Sequence, residues 1–224
     1  MKENNVFNTQ NISQRAQNIL KNPQSVISQE IDENWNWVIS FENKNPNFQN
    51  DKILTLRYSG VSSLEDISLF LESISRLSVG KSLDILTRLS FREVENFLRD
   101  ENHLPAFPAS EEILLEKSFK MVKNTLLSAL IFEKINKNED IFPKKVFWND
   151  LTFVEKNRRI LSILEVFKRL FPLGKSTQLA LAEADGVSIV KNDLPLDIEV
   201  IKHVIQELNP VDSAKTLLKV VATL

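Results

Sequence analysis

The chain has 224 residues, 42% apolar and 26% charged, and its 28 basic and 30 acidic side chains leave a net charge of −2. That is apolar content enough for a sizeable core in one large or two small domains, with no bulk charge to draw the chain to nucleic acid or an anionic membrane. The complete lack of cysteine excludes disulfides, thiolate zinc sites, cysteine nucleophiles and cysteine-ligated iron–sulfur clusters, and four glycines leave little room for glycine-rich phosphate loops.

The first thirty residues are polar and rich in Asn and Gln. Within them Ile12, Ala16, Ile19 and Leu20 predict one helix that stops before Asn22-Pro23, because Pro23 disfavours the α conformation at Asn22. Two strands follow, over 35–41 and 53–58, where apolar side chains alternate. The polar stretch 42–52 between them reads as a loop, and the two strands are expected to pair antiparallel against helices.

Helices then dominate. Ser62-Ser63-Leu64-Glu65 has the pattern of a capping box, with Leu64, Ile67, Phe70, Leu71, Ile74 and Leu77 following at helical spacing and Gly80 as the stop. A short helix over 82–89 and a second capping box at Ser90–Glu93 come next, then a loop bracketed by Pro105 and Pro108, then a long helix from about 111 to 136. The polar break at 136–140 marks a boundary between residues 1–137 and 138–224. Beyond it Thr152–Glu155 caps a helix to about Phe171, a second segment runs over 176–184, residues 186–190 read as a short strand or a turn, and helices near 197–208 and 212–223 finish the chain. The fold class expected is α+β: a small antiparallel sheet packed on helices, then an all-helical C-terminal part.

Few residues carry chemistry. Gly80-Lys81-Ser82 and Gly174-Lys175-Ser176 resemble the end of a phosphate-binding loop, but the earlier glycine such a loop needs is replaced by Ser75 and Arg169. Both read as helix ends followed by new caps. The two histidines, His103 and His203, stand a hundred residues apart with no second ligand at helical spacing. Carboxylate pairs such as Glu93/Glu95, Glu111/Glu112 and Glu139/Asp140 fall at helix starts or in the polar break, where acids favour the helix dipole or plain solvation. Residues 142–175 hold eight basic against three acidic side chains, among them Lys144, Lys145, Lys156, Arg158, Arg159, Lys168 and Arg169, interleaved with Phe and Trp. That mixture suits nucleic-acid binding, although Phe153, Ile160, Leu164, Phe167 and Phe171 also share one helical face that a core would bury.

In order and spacing, residues 12–135 resemble the N-terminal domain of the NifU/IscU-like family, the scaffold on which iron–sulfur clusters are assembled. Asn22-Pro23 matches the end of that family's first helix, the strand 53–58 runs into Gly60-Val61 where the family has Gly-Cys, and Gly80-Lys81-Ser82-Leu83 matches its Gly-Lys-Ser/Thr-Leu. Leu104-Pro105 and the long helix complete the order. The resemblance implies a β-meander and a cluster site. It also implies where that site is lost: Val61 replaces one cysteine, and none stands near 32–36 or 109–111. Of the Leu-Pro-Pro-Val-Lys element gripped by the family's chaperone, only Leu104-Pro105 remains. Gly60, Val61, His103 and Ser110 therefore mark the vestige, expected to be filled by Val61, Leu64 and Phe107. The resulting expectation is a cytoplasmic, non-catalytic protein with no cofactor and no membrane partner, working through contacts with another protein. The alternative is a nucleic-acid or membrane-surface binder using 142–175.

Overall fold

Side-chain oxygens cap some of the helix starts, though not all. The computed structural model describes residues 12–31, 35–42, 51–61, 64–101, 104–137, 144–171, 177–181, 186–211 and 218–220. The Ser13 hydroxyl accepts the Ala16 N–H to open α1 (Gln14–Lys21), which ends at Asn22 ahead of Pro23. The boxes predicted at Ser90 and Thr152 both form and open α4 (Phe91–Leu98) and α6 (Phe153–Leu170), with Glu93 and Glu155 bonded back to the cap N–H groups. The box expected at Ser62–Glu65 does not: α2 (Glu65–Ser78) has Leu64 at its N-cap without a side-chain bond, while Ser62 and Ser63 lie outside the described residues.

The Ser90 backbone N–H holds the Glu93 carboxyl below its ordinary range. Ser90→Ala is expected to lower stability by about 1 kcal/mol in urea unfolding. The bond from the Ser90 hydroxyl to the Glu93 carboxylate, which the variant lacks, contributes fully above the ordinary glutamate pKa and fades as pH falls through the lowered one, so the gap between variant and wild type narrows in acid. A gap that widens in acid would contradict this account.

The chain divides into two compact units, and the division falls between Leu126 and Leu127, inside α5 (Glu112–Asn136), rather than in the polar break after it. In the first unit β2 (Asn36–Phe41) pairs antiparallel with β3 (Ile53–Val61), as expected. A third strand, β1 (Val26–Ile31), lies parallel to β3 on its other side, giving the order β1-β3-β2. This is not a meander, and it departs from the topology the family resemblance implies. β1 escaped the periodicity reading because its sequence, VISQEI, is short and half polar; its place comes from backbone pairing with β3.

Two glycines sit where a side chain would strain the backbone. Gly60, near the end of β3, has φ +86°, and Gly80, just past α2, has φ +80°. Ser82 then opens α3 (Leu83–Thr87), so Gly80-Lys81-Ser82 is a helix end followed by a new cap. The core of this unit is a cluster of Phe70, Phe91, Phe107 and Phe119, whose neighbouring rings lie 5.9–6.3 Å apart.

The second unit keeps the helices expected of it, α6 and α7 (Ile198–Leu208), but all-helical is too narrow a description. It also contains a three-stranded sheet in the order β4-β5-β6. β4 (Gln178–Leu181) pairs antiparallel with β5 (Val187–Lys191), and β6 (Leu218–Val220) runs parallel to β5. Leu218–Val220 is thus a strand and not part of a helix over 212–223, because Leu218 and Val220 register against Val187 and Ile189, which are themselves buried. Residues 212–217 lie outside the described residues.

Candidate functional site

The loop after α4 and the start of α5 form a cleft in the first unit. Phe91, Glu95 and Arg99 recur every four residues along α4 and make one wall. Pro105, Phe107 and Pro108 make the other, and the start of α5 closes it around a cavity of about 250 Å³. Phe91 and Phe107 stack with centroids 6.0 Å apart. The Glu95 carboxylate is held by Arg99 at 2.9 Å and accepts the Ala106 N–H at 3.4 Å, so it is occupied in fixing the loop. Pro105 in the cleft wall is exposed, and so are the chain neighbours Leu104, Ile113 (74%) and Leu114.

The expected vestige maps onto this structure in pieces. Gly60 is buried and Val61 ends β3. Ser110 is exposed in the single 3-10 turn Ala109–Glu111 that leads into α5. His103 lies outside the described residues. Phe107 is buried as expected, but Leu64 is 58% exposed and fills nothing, because it occupies the solvent-facing cap of α2. The first turn of α2 is tied to α5 by Ser118, whose hydroxyl donates to the buried Asp66 carboxylate.

Among the described residues, a densely bonded ionisable group lies apart from every motif. Glu72, on α2, is 1% exposed. Its carboxylate accepts the Gln24 N–H at 2.8 Å, the Ser25 N–H at 3.0 Å, the Ser25 hydroxyl at 3.2 Å, the Tyr58 hydroxyl at 3.1 Å and the Arg76 Nε–H at 2.7 Å. Burial first, and then the Glu72 charge, push the Tyr58 hydroxyl well above its ordinary pKa. Every bond of this carboxylate goes to the chain itself, so it ties the turn before β1 to α2 and β3. Its only sequence sign was a charged residue among apolar neighbours.

The basic segment does not present all of its charges to solvent. Lys156 and Arg159 are 7% and 8% exposed. The Lys156 ammonium lies 5.6 Å from the centroid of the buried Trp148 ring. Arg159 donates from Nε to Asn209 Oδ1 at 2.6 Å and from Nη2 to the Lys144 and Leu208 carbonyls at 2.6 and 2.8 Å. Burial pulls its pKa down, yet three acceptors hold the guanidinium. Arg169 is paired with Glu165 and Lys145 with Glu207, while Lys144, Arg158 and Lys168 are exposed. Of the interleaved aromatics, Trp148, Phe167 and Phe171 are buried, and Phe147 and Phe153 are exposed.

His203 is exposed on α7, where its ring meets Phe132 edge-on at 5.6 Å. Gly174-Lys175-Ser176 and the pair Glu139/Asp140 lie outside the described residues. Among the described residues, no three His, Asp or Glu side chains gather closely enough to hold a metal ion, and no helix is long and apolar enough to cross a membrane. Comparison with protein-family models, with curated proteins and with solved structures gives no match to this chain.

Proposed function

We propose that this chain is a non-catalytic protein that acts through contacts with another protein, on a fold resembling the iron–sulfur scaffold domain but without cluster ligands. The observation that supports this best is the cleft between α4 and the start of α5. An aromatic and proline-lined hollow, with Leu104, Ile113 and Leu114 exposed on the loop and helix start that supply its lining, suits a partner's apolar side chain. It lies at Leu104-Pro105, the element the resemblance assigns to partner binding. The β1-β3-β2 order weakens kinship as an argument, so the proposal rests on the surface. The alternative, nucleic-acid or membrane-surface binding through 142–175, loses Lys156 and Arg159 to the interior.

The test has two arms. Peptides selected from a displayed library should shift the amide resonances of Phe107 and Leu114 and bind an Ile113→Asp variant at least tenfold more weakly. Selected peptides that bind this variant as well as wild type overturn the contact surface. Anaerobic reconstitution with iron and sulfide should leave no cluster, since soft sulfide-bridged iron needs thiolates the chain lacks. Stoichiometric iron with visible charge-transfer absorption after desalting overturns that arm.

A further inference from the structure

A second cleft in the first unit, formed by α1, α2 and α4, has different chemistry. Arg15, Asn18 and Asn22 follow one another by three and four residues and so share a face of α1 and its C-cap. That face, with Gln24, Arg76 of α2 and Phe97 of α4, encloses a cavity of about 390 Å³ floored by Ile19. The volume is within the range of small-molecule sites. The polar groups converge while the floor and one wall are apolar.

Both guanidiniums are already held in place. Arg76 donates from Nε to the buried Glu72 and from Nη2 to the Asn22 carbonyl at 3.1 Å, so its orientation is fixed before any ligand arrives. Arg15 lies over the Phe97 ring with its guanidinium carbon 4.6 Å from the centroid. The nearest acid on α1's N-terminal side, Asp100, is occupied by the backbone N–H groups of Gln14 and Arg15, at 2.6 and 2.7 Å. No described carboxylate forms an ion pair with the Arg15 side chain, whereas Arg76 is neutralised by Glu72. With Arg76 paired to Glu72 and the Asp100 carboxylate turned to backbone N–H groups, the Arg15 guanidinium is the cation the cleft has left to offer a ligand.

We infer that this cleft binds a small organic molecule carrying an oxyanion, a carboxylate or a phosphate ester, with its charged end between Arg15 and the Asn18, Asn22 and Gln24 side chains and a compact apolar body against Ile19 and Phe97. A guanidinium supplies planar paired donors for such a head group, and side-chain amides complete its hydrogen bonding. This inference is independent of the protein contact proposed for the other cleft.

Benzoate and phenyl phosphate, titrated separately into the full chain, test it. At least one should give saturable shifts of the Asn18, Asn22 and Gln24 side-chain amide resonances. Arg15→Gln, at an exposed position, should weaken that binding at least tenfold, and Arg158→Gln in the second unit should leave it unchanged. The preferred probe assigns the head group as carboxylate or phosphate ester. Inorganic phosphate and benzyl alcohol should each bind at least tenfold more weakly. The inference is overturned if neither probe saturates, if Arg15→Gln binds as tightly as wild type, if Arg158→Gln weakens binding as much as Arg15→Gln, or if either control compound matches the better probe.

Discussion

Glu72→Ala is expected to destabilise the first unit by about 3–5 kcal/mol, the range for breaking a buried charge pair by removing one partner. The loss arises because the Arg76 Nε–H, the Tyr58 hydroxyl and two backbone N–H groups would then face a cavity instead of a carboxylate. Glu72→Gln should cost less, since one acceptor oxygen survives. Tyr58→Phe should cost about 0.5–1.5 kcal/mol, the worth of one hydrogen bond. The readout is amide exchange at Tyr58 in urea, because its N–H is bonded to the Ser25 carbonyl that this network positions. The tyrosine also sets an alkaline limit. Its folded-state pKa is raised, so its contribution is complete below the unfolded value near about 10 and is lost as pH rises beyond it, at up to about 1.4 kcal/mol per pH unit. Tyr58→Phe should remove that slope. Equal stability of Glu72→Ala and wild type would show that the network is not what fixes β1 and α2.

The second large effect belongs to Arg159. Arg159→Ala should lower the stability of the second unit by about 3 kcal/mol or more, leaving Asn209 Oδ1 and the Lys144 and Leu208 carbonyls without their charged donor in a buried setting. Arg159→Lys should rescue little of this, because an ammonium cannot reach three acceptors with a fixed planar fork. Amide exchange at Val146 and Trp148 reports the outcome, since their N–H groups bond the Leu208 and Pro210 carbonyls that Arg159 helps to hold. A charge reversal at exposed Arg158 should leave the same exchange unchanged. If Arg158 mattered more than Arg159, the basic segment would be acting as a surface after all.

These two residues show how far the sequence could be read. Capping boxes at Ser90 and Thr152 were legible because a cap is complete within four residues. The antiparallel pair β2–β3 was legible because its alternation is carried by large side chains such as Trp37 and Tyr58. β1, β4 and β6 were not, because each is short and owes its conformation to a partner strand, which for β1 and β6 lies distant in sequence. In sequence Arg159 looks no different from its basic neighbours, yet it is buried: only the fold shows that Asn209 and two carbonyls converge there. Glu72 had no motif at all. Nor did the cleft of Arg15, Arg76 and Phe97, whose members come from three helices and meet only in space.

The order β1-β3-β2 also governs when this sheet can exist. Both flanking strands precede the central one in the chain, so during synthesis they emerge with nothing to pair with. Val26–Ile31 and Asn36–Phe41 stay unladdered until Ile53–Val61 has left the ribosome, and the carboxylate that anchors Ser25 follows later still, at residue 72. The sheet of this unit can thus close only from its middle strand outwards, and its two earliest-made strands wait unpaired for the third.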